Sequence, residues 1–158
     1  APDMSNNQAV YESHCASCHG VMGYGDVPFA NGMEPPPGDF HDISRQRTRR
    51  VYDQFNTITL GVQETPMPTF AQLSEEQRWA LALMISRYST TPEQIDRGKT
   101  LLAQGVIKNQ FTSLSNLTGP SYAMAEEWAQ GVGNAPEDGA AVLAYLRYNP
   151  EVLEITDN

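Results

Sequence analysis

Two cysteines and a histidine stand together near the start of the chain, at Cys15, Cys18 and His19. The chain has no other cysteine, and a disulfide between residues three positions apart would cross-link almost nothing. The spacing C-x-x-C-H instead fits covalent attachment of haem, in which each thiol adds to one of two neighbouring vinyl groups. The adjacent His19 would then lie beneath the iron and supply an imidazole nitrogen. The motif therefore predicts one covalent haem c per chain, with His19 as an axial ligand.

Other uses of a closely spaced cysteine pair fit the sequence less well. A thioredoxin-like redox pair should follow a strand in a βαβ unit, and the sequence shows no such pattern. A structural zinc site would need two further ligands, and there is no second cysteine pair to supply them. Haem attachment is therefore the preferred interpretation.

A second axial ligand has to approach iron from the opposite face of the haem. Met67 is the best candidate, because the prolines on both sides of it exclude a helix and form a stiff strap. Met22 lies three residues from His19, and a reach of about 10 Å is too short to pass round the porphyrin edge. Met33 and His41 remain as alternatives to Met67.

The remaining methionines of the chain interior have a simpler explanation. Met84 and Met124 fall at apolar positions of predicted helices, which indicates packing rather than ligation. His14 directly precedes the attachment motif and is expected on the surface of a helix.

Several residues between the motif and Met67 are candidates for the walls of the haem crevice. We expect Tyr24, Pro28 and Phe40 to line it, with the carbonyl of Pro28 accepting a hydrogen bond from the second ring nitrogen of His19. Trp79 either covers the haem edge or packs between helices. The arginine segment, Arg45 to Arg50, is the only concentration of basic residues. It is interpreted as a solvated helix face, or else as a patch that pairs with haem propionates or a partner.

Helical spacing of apolar residues and capping signals dominate the rest of the chain, and no β alternation extends beyond a few residues. Ser44 is a candidate N-cap, while Ser74 with Gln77 and Thr91 with Gln94 form capping boxes. A loop rich in glycine and proline covers residues 20–40. The sequence predicts an all-α protein with helices over about residues 6–14, 44–59, 74–88, 92–104, 120–130 and 136–148.

The helices divide into two predicted units with a boundary near Thr91. Residues 1–90, the N-terminal half, form a domain with one haem. Residues 91–158, the C-terminal half, contain no cysteine and no histidine, and are expected to form a haem-free helical cap or docking region. The run from Arg97 to Leu102 is similar to the opening of a second haem domain, but its haem motif is missing.

The formal net charge of −9 limits the choice of partners. Strong acidity argues against nucleic acid and against anionic membrane surfaces, and it favours basic protein partners or small cations. The longest wholly apolar run, residues 79–85, is far too short to span a bilayer. The chain opens Ala1-Pro2-Asp3, which resembles a trimmed terminus, so we expect a soluble section that could belong to a longer membrane protein.

A family resemblance rests on four stretches of the N-terminal half. The attachment motif with Gly20, the loop at residues 23–26, the segment at residues 67–70 and the helix after Leu73 resemble class I c-type cytochromes. That resemblance implies a small helical domain with His/Met ligation, in which the first helix packs across the last. Tyr11 would then lie at the crossing, near Leu81 and Met84.

A narrower resemblance covers almost the whole chain. The stretches at residues 35–40, 67–74 and 144–150 are similar to the soluble N-terminal section of bacterial high-affinity iron permeases fused to a cytochrome. The membrane helices and the Arg-Glu-x-x-Glu motif of the permease are absent, so this chain would not transport iron itself. The resemblance implies a periplasmic location, ferrous iron as an electron donor and a permease membrane domain as a partner.

The expected function is periplasmic one-electron transfer rather than an enzymatic reaction. The electron would come from ferrous iron oxidised during uptake and pass to another redox protein with a basic docking surface. A general respiratory shuttle between a dehydrogenase and a terminal oxidase is one alternative. A haem peroxidase or a ligand sensor is another, but both need an open sixth position, which a bound Met67 would close.

Overall fold

The computed structural model describes residues 1–154, and these contain helices and turns but no β-strand. This confirms the all-α prediction. The helices of the N-terminal half are α1 (Asn7–His14), α2 (Ala16–His19), α3 (Ile43–Gln46), α4 (Val51–Leu60) and α5 (Glu75–Arg87). Those of the C-terminal half are α6 (Pro92–Ala103), α7 (Ser115–Thr118), α8 (Tyr122–Gly131), α9 (Pro136–Tyr148) and α10 (Glu151–Glu154).

The first and last helices of the N-terminal half, α1 and α5, cross each other. Tyr11 is fully buried in the core that also contains Leu81, and its hydroxyl donates to the Gly20 carbonyl at 2.7 Å. The Asn7 side-chain amide donates to the carbonyl of Ala80 at 3.2 Å, so a polar group at the crossing has a partner. The predicted crossing at Tyr11 is confirmed.

The helix predicted over residues 44–59 is wrong as a single element, because the chain leaves the helical path between α3 and α4. Asp42, not Ser44, caps α3 by accepting a hydrogen bond from the Arg45 amide at 3.3 Å. Asp53 accepts one from the Arg50 amide at 2.9 Å, which places Arg50 at a new helix start. Two competing caps therefore divide the segment.

Helix α5 begins as the sequence predicts. Ser74 accepts from the Gln77 amide and the Gln77 side chain accepts from the Ser74 amide, so the capping box is complete. Trp79 stacks on Phe55 of α4 with ring centroids 3.9 Å apart, which joins the two helices. Packing therefore accounts for Trp79, and its contact with a haem edge stays a prediction.

The C-terminal half closes its core by two close helix crossings at glycine. A Cβ on Gly98 would lie 1.9 Å from the Ala141 carbonyl oxygen, and one on Gly139 would lie 1.8 Å from that of Ala125. Helices α6 and α8 therefore pack against α9 almost backbone to backbone. The three predicted long helices are confirmed within about two residues at each end, and the structure adds the short helices α7 and α10.

The two halves contact each other through hydrogen bonds at the ends of α5, α8 and α9. The Arg87 guanidinium donates to the Arg147 carbonyl at 2.8 Å, and the Tyr122 hydroxyl donates to the Ser86 carbonyl at 2.9 Å. Arg147 is fully buried, with its guanidinium 4.5 Å from the centre of the Tyr122 ring. The domain boundary itself stays a prediction. No helix in the described part of the chain is long and apolar enough to cross a membrane.

Candidate haem-attachment site

The three residues of the attachment motif lie on a single turn after α1. The Cys15 amide donates to the Tyr11 carbonyl at 2.8 Å and ends α1, while the His19 amide donates to the Cys15 carbonyl at 2.9 Å and closes α2. All three motif side chains are partly buried. Burial raises the pKa of the Cys15 thiol to about 11, and the Cys18 thiol adds to that shift. The turn therefore presents the two thiols together with the imidazole.

A backbone carbonyl fixes the orientation of His19, but it is not the carbonyl that the sequence suggested. Nδ1 of His19 lies 3.1 Å from the Gly38 carbonyl oxygen. The prediction for Pro28 is wrong in this respect, because Pro28 begins a 3-10 turn (Pro28–Ala30) and its carbonyl accepts from Asn31 at 3.1 Å. The Pro-Pro-Pro-Gly stretch that ends at Gly38 supplies the acceptor instead.

This hydrogen bond settles which nitrogen of His19 is available to a metal. A carbonyl only accepts, so Nδ1 carries the proton and Nε2 keeps its lone pair. Burial lowers the pKa of His19, the Gly38 bond opposes that shift, and the nearby Arg45 guanidinium lowers the pKa further. The ring is therefore held neutral, as an iron ligand must be.

An aromatic cluster supports the other side of the His19 ring. Phe40 is buried and stacks on the imidazole with centroids 4.5 Å apart and an interplanar angle of 19°. Tyr88, at the end of α5, lies 6.0 Å from Phe40 and 6.2 Å from Tyr11. The structure brings Phe40 to the motif, and its contact with haem stays a prediction, whereas the contribution of Tyr88 was missed. Its position at the end of the closing helix was the available signal.

Tyr24 and His41 form a second aromatic pair at the surface. Their rings stack at 3.9 Å, and Tyr24 remains 48% exposed. Nε2 of His41 lies 2.6 Å from the Met22 carbonyl, which occupies one of the two ring nitrogens that could bind a metal. The hydrogen bond argues against His41 as a sixth ligand. Contacts of Tyr24 and Pro28 with haem stay predictions.

Met67 lies in a turn in which its own carbonyl and amide groups both form hydrogen bonds. The Val62 amide donates to the Met67 carbonyl at 3.2 Å, and the Met67 amide donates to the Thr65 hydroxyl at 3.2 Å. The Phe70 amide then donates to the Ile58 carbonyl at 2.9 Å, which attaches the strap to α4. Met67 is partly buried in this turn. Its assignment as sixth ligand stays a prediction.

The arginine segment divides into residues with different partners. Arg47 pairs with Glu126, and Arg50 pairs with Asp53 at 2.8 Å. Arg49 donates to the Thr57 hydroxyl at 3.1 Å. Its Nε is buried and has no hydrogen-bond partner among residues 1–154. The segment is therefore not a uniform solvated face.

The residues present fit a haem with two thioether bonds. Two nearby thiols and a neutral imidazole with a hydrogen-bonded Nδ1 match the two vinyl groups and the iron. No group of three His, Cys, Asp or Glu side chains in the described part of the chain could hold a separate metal ion. The fold and the site thus define a helical protein that binds haem c covalently.

Comparison with known proteins names the family. The cytochrome c family matches residues 5–89, more than half of the chain, so the chain belongs to the cytochrome c family. No curated protein matches the chain. Among solved structures it is similar to a chain of the reducing HAO-like protein complex of Kuenenia stuttgartiensis, at 16% identity and a TM-score of 0.48. That match covers 92% of this chain and 97% of the other. Haem-based electron transfer follows from the family.

Proposed function

We propose that this cytochrome carries single electrons between redox partners in the periplasm, with His19 and Met67 as the axial ligands of its haem. The observation that supports this most is the His19 ring, which is neutral, stacked on Phe40 and fixed by the Gly38 carbonyl. A ligand held in one orientation in both oxidation states needs little rearrangement when an electron arrives or leaves. Such a site suits rapid one-electron exchange.

Each residue of the site has a distinct part in this function. A bound haem supplies an iron that alternates between the ferrous and ferric states. Cys15 and Cys18 would hold the macrocycle by thioether bonds, and Nε2 of His19 would bind its iron. The buried Nε of Arg49 is available to a propionate. The thioether of Met67 would favour the ferrous state and raise the potential.

The test of the sixth ligand is Met67→Ala. We expect the ferric protein to lose its weak near-infrared band, which arises from thioether sulfur on iron, and the reduction potential to fall. Met33→Ala is the matched control, because it removes a second loop methionine and should leave both properties unchanged. An unchanged band in Met67→Ala together with its loss in Met33→Ala would assign the ligand to Met33.

We further propose that ferrous iron is an electron donor, in a protein associated with an iron permease membrane domain. The support is the resemblance to permease-fused cytochromes and the net charge of −9, which attracts a small dication. Asp26 and Glu64 are exposed acids in the two loops that flank the proposed axial ligands. The iron would react during an encounter at these loops rather than from a prebuilt site.

Stopped-flow mixing of the ferric protein with ferrous iron tests the donor. Reduction should be fast at low salt and slower as ionic strength rises, because salt screens the attraction. Asp26→Asn with Glu64→Gln should slow it, whereas Glu93→Gln with Glu137→Gln, two exposed acids of the C-terminal half, should have less effect. Slow reduction at every ionic strength would exclude this donor and favour the respiratory shuttle.

A further inference from the structure

The arginine segment is a place where the C-terminal half contacts the N-terminal half directly. The Arg47 guanidinium forms a charged pair with Glu126, whose side chain is only 18% exposed. The Arg47 carbonyl also accepts a hydrogen bond from the Ala123 amide at 3.0 Å. Ala123 and Glu126 are both on α8, so this helix holds the main chain and the side chain of Arg47 at once. Charge-assisted pairs of this kind are among the stronger hydrogen bonds.

Two residues before Arg47, the segment reaches the environment of the axial histidine. A Cβ on Gly38 would lie 2.8 Å from the guanidinium carbon of Arg45, so the Arg45 head group rests on the Gly38 backbone. The Gly38 carbonyl is the group that holds Nδ1 of His19. Gly38 therefore lies between the Arg45 guanidinium and the axial histidine. The exposed Arg45 guanidinium thus places a positive charge against the backbone that orients the ligand.

A positive charge near the iron ligand influences the ferric and ferrous states of a bound haem unequally. Ferric haem carries one more positive charge than ferrous haem, so the Arg45 guanidinium destabilises the ferric state and raises the reduction potential. The energy of that interaction depends on the distance between the charges and on their exposure to water. Any contact that fixes the arginine segment therefore helps to set the potential.

We propose that the C-terminal half acts as a positioning module, which holds Arg45 beside His19 through the contacts of Glu126 and Ala123 with Arg47 and so keeps the reduction potential high. This inference rests on the proposed function and adds a role for residues that carry no haem of their own. Glu126 is a positioning residue in this scheme, because it acts on the haem site only through the arginine segment.

The experiment compares Glu126→Ala with Glu127→Ala in the full-length haem protein. Both variants remove one negative charge from neighbouring positions of α8, and loss of a negative charge by itself raises the potential slightly. Glu127 is exposed and only adds to the field at Arg47, whereas Glu126 is hydrogen bonded to it. We expect the potential of Glu126→Ala to lie below that of Glu127→Ala. Equal potentials, or a higher one for Glu126→Ala, would overturn the proposal.

A double-mutant cycle with Arg45→Gln tests the route of the effect. If Glu126 acts through Arg45, its replacement should change the potential much less when Arg45 is already absent, so the two shifts are not additive. Additive shifts would show that Glu126 acts by another route and would overturn the inference. Hydrogen exchange gives a readout without redox chemistry, since the amides of Gln46 and Arg47 should exchange faster in Glu126→Ala only. Covalent haem is measured in every variant, so failure of the proposed function is distinguishable from failure of this inference.

Discussion

Each half of the chain packs its first helix against its last long helix, but the two halves complete their cores differently. In the N-terminal half α1 crosses α5 at Asn7 and Tyr11, and a short helix with the attachment motif follows. In the C-terminal half α6 crosses α9 at Gly98, and the 3-10 turn Lys108–Gln110 follows. The first core contains the groups that bind haem, and the second combines an apolar cluster with the buried side chain of Arg147.

The apolar side chains of the C-terminal half show how a core closes without a cofactor. Phe111 and Leu117 are each 4% exposed, and Trp128 lies edge-on to Phe111 at 5.6 Å. In the N-terminal half, by contrast, Phe29 and Leu60 are 69% and 73% exposed. We infer that haem contributes to the stability of the first half, as a bound ligand does, while the second half is stable on its own contacts.

The largest effect should come from replacing both thiols, Cys15→Ala with Cys18→Ala. The chain should then carry no haem after acid–acetone extraction, whereas the wild type should keep all of it. Hydrogen exchange should become fast in α1 and α5 but stay slow in α6 and α9, because only the first core depends on haem. Release of haem from the extracted wild type would contradict covalent attachment, and fast exchange in all four helices would contradict independent cores.

The second prediction concerns Gly139→Ala, a substitution that should destabilise the core of the C-terminal half and leave the haem-binding core intact. The new methyl group would lie 1.8 Å from the Ala125 carbonyl oxygen, so α8 and α9 must separate. We expect the C-terminal half to lose about 2–3 kcal/mol of unfolding free energy or more. Visible absorption of the haem should barely change, while thermal unfolding followed by circular dichroism shows an earlier transition.

Gly131→Ala is the matched control for this experiment. Gly131 is the last residue of α8. A Cβ added there would have no heavy atom within 4 Å apart from its chain neighbours and the nearby backbone of its own helix. The substitution should leave stability unchanged or raise it slightly, since alanine is the better helix former. Equal destabilisation by the two variants would contradict the role assigned to the crossing at Gly139.

A smaller effect is expected from Phe40→Leu, compared with Phe111→Leu. Both phenylalanines are buried and contact another ring, and each change should cost about 1–2 kcal/mol of stability. Only Phe40 stacks on His19, so only its replacement should also shift the reduction potential and the paramagnetic NMR signals of the ligand ring. Equal potentials for both variants would show that the stack has no effect on the iron.

The smallest effect concerns two ion pairs, one in each half. Hydrogen bonds from Arg50 lower the pKa of Asp53 in the folded protein. The carboxylate therefore stabilises the fold at pH values above the ordinary Asp pKa of about 3.9. This stabilisation is lost as the pH falls through the lower pKa of the folded state. Asp53→Asn should cost about 0.5–1 kcal/mol at neutral pH and nothing in strong acid. Urea unfolding at both pH values measures the difference.

Asp138→Asn is the control in the C-terminal half. The pair of Asp138 with Arg97 has a longer separation of 3.4 Å and does not cap a helix start in the way Asp53 does. We expect Asp138→Asn to lower the free energy of unfolding less than Asp53→Asn does at neutral pH. A larger cost for Asp138→Asn would contradict the importance assigned to the Arg50 cap.

Features that depend on neighbouring residues were predictable from sequence, and those that depend on distant ones were not. The capping box at Ser74 is a local pattern, and the structure contains it where expected. The acceptor for His19 comes from Gly38, nineteen residues away, and proline content alone does not reveal how a loop folds back. The break between α3 and α4 was missed because residues 44–50 contain no apolar side chain, so the apolar pattern that begins at Val51 could not show where the helix starts.

The crossing at Gly98 has a consequence for redesign. Val106, Asn109 and Gln110 follow Gly98 at the same intervals as Cys15, Cys18 and His19 follow Asn7. The second half would thus contain a complete attachment motif after three substitutions, Val106→Cys, Asn109→Cys and Gln110→His. The side chains of Phe111 and Leu117 already fill the adjoining space, however, and the α6 backbone touches α9. A version of this chain with two haems would need smaller side chains in the second core before a second haem could fit there.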